Sequence, residues 1–367
     1  RAGRSADPGP GGLRLNARWT RLILALALCL PSLPALAAEC VGRNLIDALP
    51  AERAAELRAA TAAVPFHHGL FWRATKDDQR ITLIGTYHFD DPRHDAILSQ
   101  FGPDLDRAAV LLVEAGPEEE RRLSEAMTQD PTLIVDATGP TLPERLAQDE
   151  WQALARALEA RGLPAVVASR LRPWYVAMML GISPCMIEQV QARGDTGGLD
   201  HRLVARARAA GVPVRALEPW DTVFTLFQGM TPQEEIDMIR ATMPAAEYAD
   251  DYTTTLTDAY FSGESWLIWE FGKMDAYDNS GLPRAQVDRQ MQLAQDKLMD
   301  RRNRAWIAPV ERAAADAARQ GKGIVVGFGA LHLPGEMGVL SLLQRSGWTI
   351  EPIEPRLGTT GRGTDGR

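Results

Sequence analysis

The chain has 367 residues, of which 45% are hydrophobic and 24% charged, with a formal net charge of −8. That length and apolar share support one large domain or two ordinary ones around a sizeable core. The acidic balance, with no basic stripe interleaved with aromatics, argues against nucleic acid or an anionic membrane surface as a partner.

Arg1 stands where an initiator methionine is expected, so the sequence reads as a fragment or as starting upstream of its natural start. Residues 1–12 are rich in Gly, Pro and Arg and are predicted to be unstructured. Arg14, Arg18 and Arg21 then precede an apolar run over 22–30, followed by Pro31, Pro34, Ala35, Leu36, Ala37 and Ala38. A basic stretch, a short apolar core and small residues predict a secretory signal peptide cleaved after Ala37 or Ala38. The run falls short of the roughly 20 residues that span a bilayer, with a retained anchor helix as the alternative. The expectation is a periplasmic or secreted protein with no stable membrane anchor after cleavage. Cys29 leaves with the signal, and Cys40 and Cys185 remain. In an oxidising compartment they suggest one disulfide, two free buried thiols being the alternative. Glu39 before Cys40 does not suit lipoprotein acylation.

Residues 44–63 alternate Leu45, Ile46, Leu49, Leu57 and Ala60 with charged residues at helical spacing. Residues 71–74 predict a strand and 75–79 a polar turn. Residues 81–84 supply its neighbour and run into Gly85-Thr86-Tyr87-His88. A loop over 90–94 and a helix near 95–98 lead to a strand over 108–113 that ends at Glu114. Residues 118–172 are helical with Pro and Gly breaks. Another apolar helix reaches Leu180, where Ser183-Pro184-Cys185 closes it. Gly197-Gly198-Leu199-Asp200 opens a helix, and a short strand over 212–217 ends in Glu218. Residues 219–307 form a mostly helical insertion that carries Arg302 and Asn303. The last core strand runs into Gly329-Ala330-Leu331-His332, and a final helix (338–345) and strand (348–350) follow. Residues 39–355 thus read as one α/β domain with a central, largely parallel or mixed sheet flanked by helices, and 356–367 as a disordered tail.

Four strands end in His88, Glu114, Glu218 and His332. In a parallel sheet, groups just past the carboxyl ends of strands gather in one crevice. The two histidines are therefore read as halves of one site, most simply a metal site.

This ordered set of motifs resembles the TraB/GumN family, which includes the TIKI proteins, and more distantly the erythromycin-esterase and ChaN type of fold. The resemblance covers roughly residues 40–355. It is carried by Gly85 to His88, Glu114, Gly198-Leu199-Asp200, Leu217-Glu218, Arg302-Asn303 and Gly329 to Leu333. It implies a metal-dependent hydrolase fold, with the TIKI branch being Mn- or Co-type metallopeptidases that need both Gly-x-x-His histidines and a glutamate. It does not imply the substrate.

Imidazole with carboxylate suits Mn, Co, Fe or Zn with water in the open positions. His88, His332 and Glu114 are the expected ligands of a divalent metal, Glu114 serving either as ligand or as general base. Glu218 either shapes the site or is a structural carboxylate. Asp200 is read as a helix-start residue. Arg302 lies where a charged pair is usually a solvated helix face, whereas Asn is a poor helix former, so Asn303 points to orienting a ligand or binding an oxyanion. His94 and His201 are expected at the surface, His67 and His68 in a loop, and the Trp and Met residues over 266–274 in packing. No Gly-x-Ser-x-Gly elbow supports a serine nucleophile. The expected activity is a metal-dependent peptidase acting on a peptide or small amide. The alternative is a non-catalytic module that captures a peptide signal, haem or another small ligand.

Overall fold

A computed structural model describes residues 40–194 and 197–355. The predicted signal peptide and the predicted disordered tail lie outside the described residues. Six strands form one mixed sheet: β1 (Phe71–Lys76), β2 (Gln79–Thr86), β3 (Leu111–Val113), β4 (Val214–Ala216), β5 (Ile324–Gly329) and β6 (Thr349–Pro352), in the order β4-β3-β5-β2-β1-β6. β1 and β2 are an antiparallel hairpin closed between Lys76 and Gln79, with Asp77 at φ 53°, a left-handed position that Asp tolerates. β6 adds antiparallel to β1. β2, β5, β3 and β4 are all parallel, with Thr86 opposite Gly329 and Val113 opposite both Gly327 and Ala216. Their carboxyl ends therefore finish at one edge, which is what brings the four strand-end residues together.

The sheet is covered on both faces, as parallel strands require. Along β5, Ile324, Val326 and Phe328 face one side, with Trp306, Val310, Leu340 and Leu343 from the helices Arg301–Ala318 and Val339–Arg345. Val325 faces the other side, with Ile97, Phe101 and Leu105 of the helix His94–Arg107 and Leu199, Leu203 and Ala207 of the helix Leu199–Ala209. This period-2 division is the pleat of the strand, successive side chains pointing to opposite faces of the sheet.

A helical layer stands apart from the sheet. Leu142, Leu154, Leu158, Val176 and Leu180 share one core with Ile236 and Ile239, so helices preceding β4 pack with helices that follow it. Ile46 and Leu57 pack on Tyr252, Leu267 and Phe271, tying the N-terminal helix Ala51–Ala62 to this layer. That helix starts at Ala51 rather than near 44, because the Asn44 side chain accepts from the Ile46 and Asp47 N–H groups and holds a turn there. The Ser183-Pro184-Cys185 stretch opens a new helix, Pro184–Arg193, with Ser183 Oγ accepting from the Met186 N–H. Cys40 and Cys185 are joined in a disulfide. No helix among the described residues is long and apolar enough to cross a membrane.

One surface expectation fails. His94 is fully buried, its ring against Tyr87, Tyr260 and Phe261, and among the described residues neither ring nitrogen meets a hydrogen-bonding partner. Aromatic side chains from a distant helix cover it, a tertiary contact that its polar sequence neighbours do not announce. His201 Nε2 lies 3.1 Å from Glu120 Oε1, within hydrogen-bonding distance.

Candidate functional site

β2 and β5 end side by side, and each continues into its histidine. Gly198 makes the next contact: a β-carbon there would lie 2.3 Å from the His88 carbonyl oxygen, so only glycine lets the helix Leu199–Ala209 abut the His88 backbone. The Leu199 N–H donates to Tyr87 O at 2.9 Å, fixing that approach. Asp200 is thereby carried under His88, and Asp200 Oδ2 lies 2.8 Å from Nδ1 of the ring. Its other oxygen accepts from the Thr86 hydroxyl.

His332 is held in the same way by a different group. Its Nδ1 donates to Asn303 Oδ1 at 2.6 Å, while Asn303 Nδ2 donates to Met337 O at 2.9 Å. That second bond fixes which end of the amide faces the ring, and so the tautomer. Both rings thus have Nδ1 anchored and Nε2 directed away from the anchor.

Glu114 lies between them. Its Oε1 accepts from the Gly329 N–H at 2.6 Å and sits 3.9 Å from His332 Nε2. A β-carbon at Gly329 would be 3.2 Å from Glu114 Oε1 and 3.2 Å from His88 Nε2, so the bare glycine leaves a small cradle between the two. Arg302 closes the far side. It donates to Glu114 Oε2 at 2.5 Å, to Glu218 Oε1 at 2.7 Å and Oε2 at 2.9 Å, and lies 3.2 Å from His332 Nε2. Trp306 Nε1 donates to Glu218 Oε1 at 2.9 Å. Arg302 follows one π-helical turn, Asp296–Asp300, and donates to Leu298 O within it. Such turns are rare and recur at functional sites.

The electrostatics separate the two imidazoles. The Asp200 carboxylate pushes His88 up to about 9, although a ring 57% exposed to water feels part of that only. Burial pushes His332 down to about 3, with the Arg302 and His88 charges acting in the same sense and Glu114 opposing. Burial alone would raise Glu114, but the neighbouring imidazoles, Arg302 and the Gly329 N–H outweigh it and hold the carboxyl at about 2. At neutral pH the site therefore holds a neutral His332 whose Nε2 lone pair faces Arg302, an ionised Glu114 and a proton-rich His88.

Every sequence-predicted site residue is in this one cluster: His88, Glu114, Glu218, Arg302, Asn303 and His332. Asp200 and Thr86 belong to it too. Asp200 reads as a helix-start acid in sequence. The signal that distinguishes it is the Gly197-Gly198 pair before it, which allows a backbone approach that an ordinary cap does not need.

The donor chemistry fits a divalent cation: two imidazole nitrogens and a carboxylate, each ring oriented through its other nitrogen by a carboxylate or amide. The fit is contested at one point, because Arg302 stands at His332 Nε2 and already binds one Glu114 oxygen. Among the described residues, no three His, Cys, Asp or Glu side chains make a ready-made metal cluster. A cation would enter by displacing the His88 proton and drawing His332 away from Arg302.

Comparison with curated proteins finds no match for the chain. The profile of the TraB/PrgY/gumN family matches residues 70–352, from the first strand to the last and through every residue of the cluster. On that match the chain belongs to the TraB/PrgY/gumN family.

Proposed function

We propose that the protein is a metal-dependent hydrolase of amide bonds, a peptidase in the broad sense, working outside the cytoplasm. The observation that carries this reading is the cradle at Gly329, where His88 Nε2 and Glu114 Oε1 face one point and His332 Nε2 approaches the same carboxylate. His88, His332 and Glu114 are the residues that would hold the ion, Mn or Co by the family likeness, with Zn or Fe also suited to these donors. When bound, it polarises the scissile carbonyl and makes its water acidic.

The chain's own residues do the rest. Asp200 and Asn303 hold the imidazoles in one tautomer and one direction. Glu114, ionised at neutral pH, is the group able to take a proton from an attacking water wherever it is not itself a ligand. Arg302 presents a cation toward negative charge developing on the carbonyl oxygen, and Glu218 fixes its guanidinium through two oxygens. The Cys40–Cys185 bridge supports an oxidising compartment.

The test is metal content by mass spectrometry, together with hydrolysis of a peptide and amide panel, for wild type, His88→Ala and His332→Ala. Bound metal and turnover in wild type, both lost in each variant, are expected. Unchanged metal content in both variants removes the metal reading; metal-independent ligand capture without product favours a binding module.

A further inference from the structure

An apolar cavity of about 500 Å³ opens in the helical layer, bounded by Met178, Phe227, Met238, Trp269 and Met291. Its volume falls in the range of small-molecule sites. Lys297 is its one charged lining residue among the described residues, and Lys297 and Leu226 also line a second pocket, of about 360 Å³, that contains Glu218 and Arg302. Leu226 and Lys297 thus form a wall common to the apolar cavity and to the pocket that holds Glu218 and Arg302.

What such walls accept is decided by what they lack. All the lining residues except Phe227 and Met230 lie on helices, and away from the helix ends the main-chain groups are already bonded internally. A peptide backbone laid here would leave its own N–H and C=O groups without partners, a cost an alkyl chain does not incur. Methionine side chains adapt to a chain of varying length and shape. We infer that the cavity holds the aliphatic chain of an acyl amide, with the carbonyl end directed past Lys297 toward Arg302 and Glu218. The direction of the carbonyl rests on the hydrolytic reading; the occupancy of the cavity does not. In the full reaction, water adds its hydroxyl to the acyl carbon, the C–N bond breaks with its electron pair passing to nitrogen, and a proton on that nitrogen completes the amine. A fatty carboxylate and a small amine are released.

Gly272 gives a clean test. It lines the cavity in the middle of the helix Ser265–Asn279, and a β-carbon there meets no atom within 4 Å. A large side chain fits the helical backbone and fills the cavity, and replacing glycine favours the helix itself. Calorimetric titration of the full chain with butanoate, hexanoate and decanoate, below micellar concentrations, should show affinity rising about threefold to fourfold per methylene, roughly a hundredfold from hexanoate to decanoate. Gly272→Trp should lose tenfold or more of the decanoate affinity while its melting temperature and circular dichroism stay at wild-type values; Ala241→Trp, which enters the cavity from the helix Pro232–Glu247, should also lose decanoate affinity. Affinity independent of chain length, decanoate binding unchanged in both variants, or a blocked peptide of Leu and Phe binding as tightly as decanoate would each overturn the assignment. Turnover of decanoyl-p-nitroanilide against acetyl-p-nitroanilide separates the two readings. Chain-length-dependent binding with no turnover of either sinks the hydrolase and leaves the cavity's occupant standing. Turnover of both with equal kcat/KM sinks the acyl assignment and leaves the hydrolase.

Discussion

Replacing Arg302 with Met removes the cation from between Glu114 and Glu218 and leaves a side chain of similar reach. The three side chains are 16%, 18% and 11% exposed, so the lost ion pairs are largely desolvated. Taking one partner from a buried pair costs about 3–5 kcal/mol; the residual water contact here argues for the lower end, about 3 kcal/mol. At about 2 °C per kcal/mol for a chain this size, the metal-free variant should melt roughly 6 °C below wild type. The same change frees Glu114 Oε2 and the His332 Nε2 lone pair, the two contacts with which Arg302 opposes a cation. Mn²⁺ should therefore stabilise Arg302→Met more than wild type, recovering about 2.7 kcal/mol at a hundredfold excess over its Kd. Turnover should nevertheless fall, since the positive charge facing the carbonyl oxygen is gone. Calorimetric melts with chelator and with Mn²⁺ are the assay. A variant as stable as wild type, or an Mn²⁺ increment no larger than in wild type, would refute the claim that guanidinium and metal compete for the same donors.

Asn303→Ala should lower metal affinity and turnover roughly 10-fold to 100-fold by releasing His332, and Asn303→Asp should hold the ring but raise its pKa, shifting the acid limb of the activity profile upward; an unshifted limb in the Asp variant would contradict this. Removing the Cys40–Cys185 bridge by a double Ser substitution should cost up to about 5 kcal/mol, the loop-closure figure for a separation of 145 residues, read by denaturant titration against wild type with and without reductant. Burial lowers His94 to about 4 from an ordinary 6.5, so the unfolded chain takes up a proton that the folded chain refuses. Stability from this group is complete above about pH 6.5 and falls by roughly 3 kcal/mol as pH drops toward 4. His94→Leu should flatten that part of the stability curve, and an unchanged slope would show that other groups set it.

The two strands that carry the histidines are legible because each is a run of aliphatic residues, broken only by Thr82, that is closed by glycine, 81–84 before Gly85 and 324–326 before Gly327. Their parallel pairing follows from burial on both faces, and the meeting of the strand-end groups follows from the pairing. Asp200 was not legible as a site residue, because an acid in a first helical turn has a sufficient local reason to be there. His94 reads as a surface residue because Asp91, Arg93 and Asp95 around it describe a polar loop, while its burial comes from Tyr260 and Phe261 far along the chain. The apolar cavity was invisible for a related reason. Trp269 and Gly272 share a helix with Trp266 and Phe271, which do pack in the core, and periodicity cannot say that one side of a helix faces a void.

The two Gly-x-x-His segments are nearly the same sequence device, yet their rings are prepared for opposite proton states. His88 is open to water and rests on a carboxylate; His332 is closed off and rests on an amide. A carboxylate partner stabilises imidazolium, and an amide in a dry setting favours the neutral ring. Pairs of titratable groups driven apart in this way are how one site supplies both a proton donor and a lone pair at a single pH. Glu114 completes the division, because its two oxygens face different demands. Oε1 is aimed at the histidines by the Gly329 N–H, and Oε2 is committed to Arg302. The chemistry thus depends less on the histidines themselves than on the unlike partners, Asp200 and Asn303, that two separate helices bring beneath them.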